Sequence, residues 1–193
     1  MAVLKVLVYG DERLRKPSKE VSKISKKITA LAKDLVETMY AYDGVGLAAP
    51  QVGENIRMFV IDVSPEGAPK KPYVFINPKI IKKSGASSCA EGCLSFPEVY
   101  TDVRRYSNVT VKALDLYGKH FVIEAFDGEL LSRAIQHEFD HLDGKLFVDH
   151  ARNRFVADEE LIRHNLPPIQ LDYLLEEKEL EEEIAQNGSQ QED

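Results

Sequence analysis

Helical and strand-like runs fall in blocks along this 193-residue chain instead of alternating strictly. That ordering, two well-separated helical patterns, and a group of short apolar runs between them predict an α+β fold. The expected architecture is antiparallel or mixed β-sheets packed around a central helix, the second of the two. At 44% hydrophobic and 30% charged, the chain has enough apolar residues for one core, which excludes global disorder.

The elements follow from spacing. Ile24, Ile28, Leu31, Ala32, Leu35 and Met39 recur at three- and four-residue steps. They predict an amphipathic helix over 25–42, with Ser25 as N-cap and Gly44 just past its end. The segment DGVGLAAPQVG (43–53) is too glycine-rich for a helix and reads as a backbone-dominated turn and strand packed closely against something else. Strands are expected at 56–63, 73–83, 108–116 and 120–126. The loop SPEGAPKKP lies at 64–72, and a hairpin turn at 116–119 joins the last two strands. A second helix is expected over 128–142, stopped by Gly144. After Asn153 a short helical segment runs to the break at Pro167-Pro168, and 171–185 reads as one last acidic helix.

The net charge of −7 is unevenly placed. Residues 172–193 hold nine acids against Lys178 alone, so residues 1–171 are close to neutral. A near-neutral body lacks the basic surplus of a nucleic-acid binder, and the acidic end reads as a solvated, partly disordered extension. No run reaches the roughly 20 apolar residues of a membrane span. The opening MAVLKVLVYG shows neither a secretory signal nor transit-peptide composition, so a cytosolic or mature organellar location is expected. Cys89 and Cys93 fit a metal, nucleophile or buried role better than a disulfide scaffold. Of the pair, Cys89 reads as structural.

The sharpest chemical signal is His137-Glu138-Phe139-Asp140-His141. Histidines at i and i+4 of a helix project from one face, close enough to share a metal ion. The glutamate after the first histidine can take a proton from a water on that metal. A catalytic site needs a third protein ligand. Phe147 stands where a third histidine of the extended motif would be, so that source fails. An acid among Asp158, Glu159 and Glu160, as in thermolysin-like peptidases, and the upstream Cys93 remain open. His120, His150 and His164 have no partner at metal-binding spacing.

Three segments, GVGLAAPQ (44–51), EGCLS (91–95) and QHEFDHLDG (136–144), together resemble the peptide deformylase family in order and spacing. YGDERLRKPSKEV (9–21) is also similar, and the likeness covers residues 3–155. The resemblance implies one catalytic domain over 1–155, with 156–193 a helical and acidic extension. It implies metal-dependent hydrolysis of the N-formyl group of N-formylmethionyl nascent peptides, releasing formate. Cys93, His137 and His141 would bind one divalent metal, Fe²⁺ as the native ion, with Zn²⁺, Ni²⁺ or Co²⁺ compatible with the same donors. Glu138 would be the general base, and the Gln51 side chain and the Leu94 backbone N–H would hold the oxyanion. The substrate would pair as an extended strand near Val45, Gly46 and Gly92, its methionine entering a pocket partly lined by Ala134.

The same resemblance makes nascent chains the partners, and the opening residues favour a bacterial cytoplasmic protein over a mature organellar one. Some family members dock on the ribosome through a basic C-terminal helix. The acidic residues 171–193 argue against that mode here. Tyr100 stands where some deformylases carry arginine, so arginine contacts to the substrate do not carry over. Two alternatives compete: a thermolysin-like peptidase using Glu159 or Glu160, and an inactive, metal-stabilised binding module on the same fold.

Overall fold

The computed structural model describes residues 2–169, so the expected acidic helix over 171–185 lies outside the described residues. Helix α1 (Lys26–Ala41) begins where Ser25 Oγ accepts from Ile28 N–H, as its N-cap position predicts. Helix α2 (Leu130–Leu142) starts two residues later than its pattern suggests. Asp127 and Gly128 adopt positive φ, and their N–H groups donate to Asn108 Oδ1 and Ser107 O, which keeps them in a turn. Helix α3 (Arg154–Arg163) carries an Asn153 cap.

Five strands form one sheet in the order β1-β2-β3-β6-β7: β1 (Gly46–Ala48), β2 (Met58–Ile61), β3 (Tyr73–Ser84), β6 (Asn108–Leu114) and β7 (His120–Ala125). All named strand pairs are antiparallel, which narrows the mixed-sheet expectation. The α+β class holds.

The sheet lies between two helices, and β2 records this residue by residue. Met58 and Val60 join the cluster of Ala32, Leu35 and Met39 from α1. Phe59 and Ile61 join Ala134, Ile135 and Leu142 from α2. With both faces covered, the strand is an unbroken apolar run, MFVI, and all four residues are buried. A third cluster joins α3, through Ala157 and Leu161, to Phe96, Val99 and Val103.

That last group belongs to a hairpin the sequence reading did not anticipate. β4 (Ser87–Cys93) and β5 (Phe96–Arg105) form a separate two-stranded sheet. β4 reads SSCAEGC, and β5 holds a proline and four charged residues, so neither shows an apolar alternation. Burial nonetheless alternates along β5, through Val99, Thr101, Val103 and Arg105. The fourth of these is a charged residue buried against partners from elsewhere.

Helix α2 ends at Gly144, φ 73°, whose N–H reaches His141 O while Lys145 N–H reaches Asp140 O. A Cβ at Gly144 would collide with the Arg15 carbonyl oxygen, whereas one at Gly67, φ 78°, would meet nothing within 4 Å. Gly67→Ala is therefore expected to cost about 1–2 kcal/mol, the left-handed conformation alone. Gly144→Ala should cost more than about 3 kcal/mol, because backbone must also move. Urea midpoints of the two variants check this, and equal losses would refute the steric part.

Candidate metal centre and active site

Helix α2 presents His137 and His141 on one side, their ring centroids 5.2 Å apart. The β4–β5 hairpin brings Cys93 to them. Cys93 is the last residue of β4, after a register shift at Gly92, and faces Phe96 across the turn Leu94-Ser95. Cys93 Sγ lies 3.3 Å from His141 Nε2. Ligand atoms of Cys93, His137 and His141 all fall within 4.8 Å of one another. That spread suits a single tetrahedral ion with one thiolate and two imidazoles.

The donor chemistry supports the same fit. His137 Nδ1 lies 3.1 Å from Glu91 Oε2, which leaves Nε2 for the cluster. His141 is 1% exposed, and burial holds it well below the usual histidine range. Cys93 and Glu91 instead outweigh burial at His137 and raise it well above that range, so His137 has to give up a proton when an ion binds. His141 Nδ1 is buried without a hydrogen-bond partner among the described residues. Asp158 and Glu160, two of the acids considered as third ligands, are occupied elsewhere. Asp158 accepts from Ile169 N–H, and Glu160 pairs with Arg163 and His164.

Glu91 is the hub behind the cluster. It is 9% exposed and accepts from Arg105 Nε at 2.9 Å and Arg133 Nη2 at 2.7 Å. Arg105 also pairs with Asp140, which in turn meets His150 Nε2 at 3.3 Å. Burial alone would raise both carboxyls. Arg105 and His137 outweigh it at Glu91, Arg105 and His150 at Asp140, and each lies well below the usual carboxylate range. Glu91, inside EGCLS, and Asp140, between the two histidines, have no role assigned from the sequence. The two-residue step from Glu91 to Cys93 was a usable signal, since alternate strand residues share a face. Nothing local marked Arg105 or Arg133.

Glu138 is 4% exposed, and burial raises its carboxyl to about 7, with His137 and Arg105 pulling the other way. Its Oε2 has no hydrogen-bond partner among the described residues. It lies against Gly46, where a Cβ would collide with Oε1 and come within 2.9 Å of Cδ. Glycine is thus required at 46 by close approach, not by φ.

Gln51 is 1% exposed and its amide is oriented at both ends. Oε1 accepts from Ala48 N–H at 2.8 Å, and Nε2 donates to Cys93 Sγ at 3.3 Å and Ser95 Oγ at 3.2 Å. Leu94 follows Cys93 in the turn, its side chain close to Gly44. Val45 is 42% exposed, and its carbonyl accepts from Asp62 N–H. Gly92 faces Tyr100, whose ring lies where a Cβ at 92 would point. Ala134 is 6% exposed within the α2–sheet core.

A family model described as Polypeptide deformylase matches residues 3–155. A peptide deformylase of Pseudoalteromonas translucida is 50% identical over 150 residues, 78% of this chain and 87% of that one. Peptide deformylase 1 of Clostridium acetobutylicum is 53% identical over 149 residues, 77% and 95% of the two chains. The crystal structure of a Synechococcus elongatus peptide deformylase in complex with actinonin superposes with a TM-score of 0.79 at 41% identity, covering 89% of each chain. This chain belongs to the peptide deformylase family and is a metal-dependent hydrolase.

Proposed function

We propose that this chain removes the N-formyl group from N-formylmethionyl nascent peptides with Cys93, His137 and His141 holding one divalent metal. The observation that carries the reading is the convergence of those three donors with the buried carboxyl of Glu138 and the anchored amide of Gln51. When bound, the metal supplies Lewis acidity toward a water and toward the formyl oxygen. Glu138 takes one proton from the water as its oxygen attacks the formyl carbon, then delivers that proton to the departing amine nitrogen. A carboxyl raised to about 7 by burial suits both steps near neutral pH. Gln51 Nε2 and the Leu94 N–H hold the oxyanion. The Ala48 N–H fixes the Gln51 amide so that its donor side, not its acceptor, faces the reacting carbonyl.

In this reading the substrate lies extended beside Val45, Gly46 and Gly92, with its methionine side chain directed toward Ala134. Fe²⁺ as the native ion follows from the likeness to the family, and the thiolate with two imidazoles is equally compatible with Zn²⁺, Ni²⁺ or Co²⁺. Residues 1–155 carry the chemistry, and the boundary with the extension over 156–193 falls inside α3, whose Ala157 and Leu161 pack on β5. The enzyme acts on nascent chains in the cytoplasm, and any ribosome docking uses a surface other than a basic C-terminal helix. No helix among the described residues is long and apolar enough to cross a membrane.

Formate release from a formyl-Met tripeptide by anaerobically prepared, Fe²⁺-loaded protein is expected, with the acetylated peptide left intact. Glu138→Ala should lower that rate about 10²–10⁴-fold. An inactive, fully loaded wild type would instead favour the binding-module alternative. Cys93→Ala should lose bound metal by elemental analysis, whereas a site completed by Glu159 would keep it. Deleting 171–193 should change turnover of the short peptide by less than about tenfold, roughly 1.4 kcal/mol of transition-state stabilisation. A larger loss would make the tail part of the site.

A further inference from the structure

The five-stranded sheet has two ends. β1 borders the candidate active site, and β7 closes the opposite end with β6 as its one neighbour. Among the described residues, no backbone hydrogen bond reaches β7 from the side away from β6. An open edge of this kind is a template for another strand, and proteins usually guard it with lysine, proline or a bulge. β7 reads His-Phe-Val-Ile-Glu-Ala, with no lysine or proline, and its six rungs to β6 run without a register shift. Val122 is 53% exposed, and the turns at either end of the strand add Tyr117 at 95% and Phe126 at 51%. Phe121 and Ile123 are only partly buried, at the margin of the core beneath α2.

The strand is also complementary to itself. If two copies pair antiparallel with Val122 opposite Val122, His120 of each stands opposite Glu124 of the other. Phe121 then stands opposite Ile123. Alternate residues share a face, so His120, Val122 and Glu124 meet on one side and Phe121 and Ile123 on the other. The first side gains two imidazole–carboxylate contacts flanking an apolar pair. On the second, the core cluster of one copy continues into that of the next. Moving the centre to Phe121 would set His120 against Val122 and Glu124 against Gly118, and moving it to Ile123 would set His120 against Phe126 and Glu124 against Val122, so either shift loses both polar contacts.

We propose that two copies of this chain associate through β7, paired antiparallel about Val122, continuing the five-stranded sheet into one of ten. Such an isologous contact closes on itself and does not propagate into a fibre. It lies at the far end of the sheet from β1, so each Cys93–His137–His141 cluster stays open. A six-residue strand makes a small interface, and the association is correspondingly concentration-dependent.

Sedimentation equilibrium of the full chain over a wide concentration range tests this. The native chain is expected to shift from monomer to dimer as concentration rises. Val122→Lys, which sets two like charges face to face at the centre, should remain monomeric with unchanged circular dichroism and formate release per chain. His120→Glu should weaken association about tenfold, and adding Glu124→His should restore it, because the two positions exchange roles. Val122→Cys in a Cys89→Ala background should give a disulfide-linked dimer on mild oxidation. A native chain that stays monomeric throughout overturns the proposal, as does a dimer indifferent to Val122→Lys. If the chain dimerises only after truncation at residue 169, its own tail is the occupant of the edge and the proposal fails for the full chain.

Discussion

Arg105 sits at 4% exposure between Glu91 of β4 and Asp140 of α2, and the geometry of the candidate site depends on that seam. Two of the three candidate metal ligands stand on the helix and the third on the hairpin. Their mutual distances therefore depend on how these two elements are held together. Removing three charges from water costs several kcal/mol per ion, and mutual attraction offsets this only where the remaining hydrogen-bonding capacity is used. Here most of it is: Glu91 also accepts from Arg133 and lies 3.1 Å from His137, and Asp140 lies 3.3 Å from His150, although Arg133 Nε and His150 Nε2 have no hydrogen-bond partner among the described residues. Arg133 further donates to the Cys89 and Val103 carbonyls, tying the helix to both strands of the hairpin. Deleting one member of such a network strands the others, at about 3–5 kcal/mol. Its contribution is better described as specificity of placement than as net stability.

The large sheet solves a different problem, how to carry short backbone segments into a covered site. α1 and α2 cover opposite faces of β2, and β1 lies alongside it with all three residues buried. This brings Gly46 against the Glu138 carboxyl and leads directly into the turn that holds Gln51. The lack of a side chain at 46 and the anchored amide at 51 are two consequences of one close approach between β1 and α2. Burial then sets the chemistry: the same covering that excludes water raises Glu138 to about 7.

Much of this was legible in the sequence. The His137/His141 pair follows from helical periodicity alone, and the N-cap at Ser25 and stop at Gly144 are local chemistry. β2, β3, β6 and β7 were visible because apolar residues line faces packed against helices. The role of Gly46 was partly visible, as glycine-rich backbone that had to approach something closely. The something was not.

The sequence by itself determined the candidate residues for the chemistry, the two main helices and the strands of the large sheet. In each of these the signal lies within a few residues of chain: an i,i+4 pair, an apolar repeat, a capping side chain. The tertiary structure alone decided the β4–β5 hairpin, the hub at Glu91 and the contact between Gly46 and Glu138. Glu91 takes the one buried position of β4, and in β5 Thr101 and Arg105 share the buried positions with Phe96, Val99 and Val103, which blurs the apolar pattern. A buried charge is stable only beside partners, here Asp140 and His137, that lie 35 and 46 residues away along the chain. No local periodicity can encode an interaction whose two halves meet only once the helix and hairpin have packed.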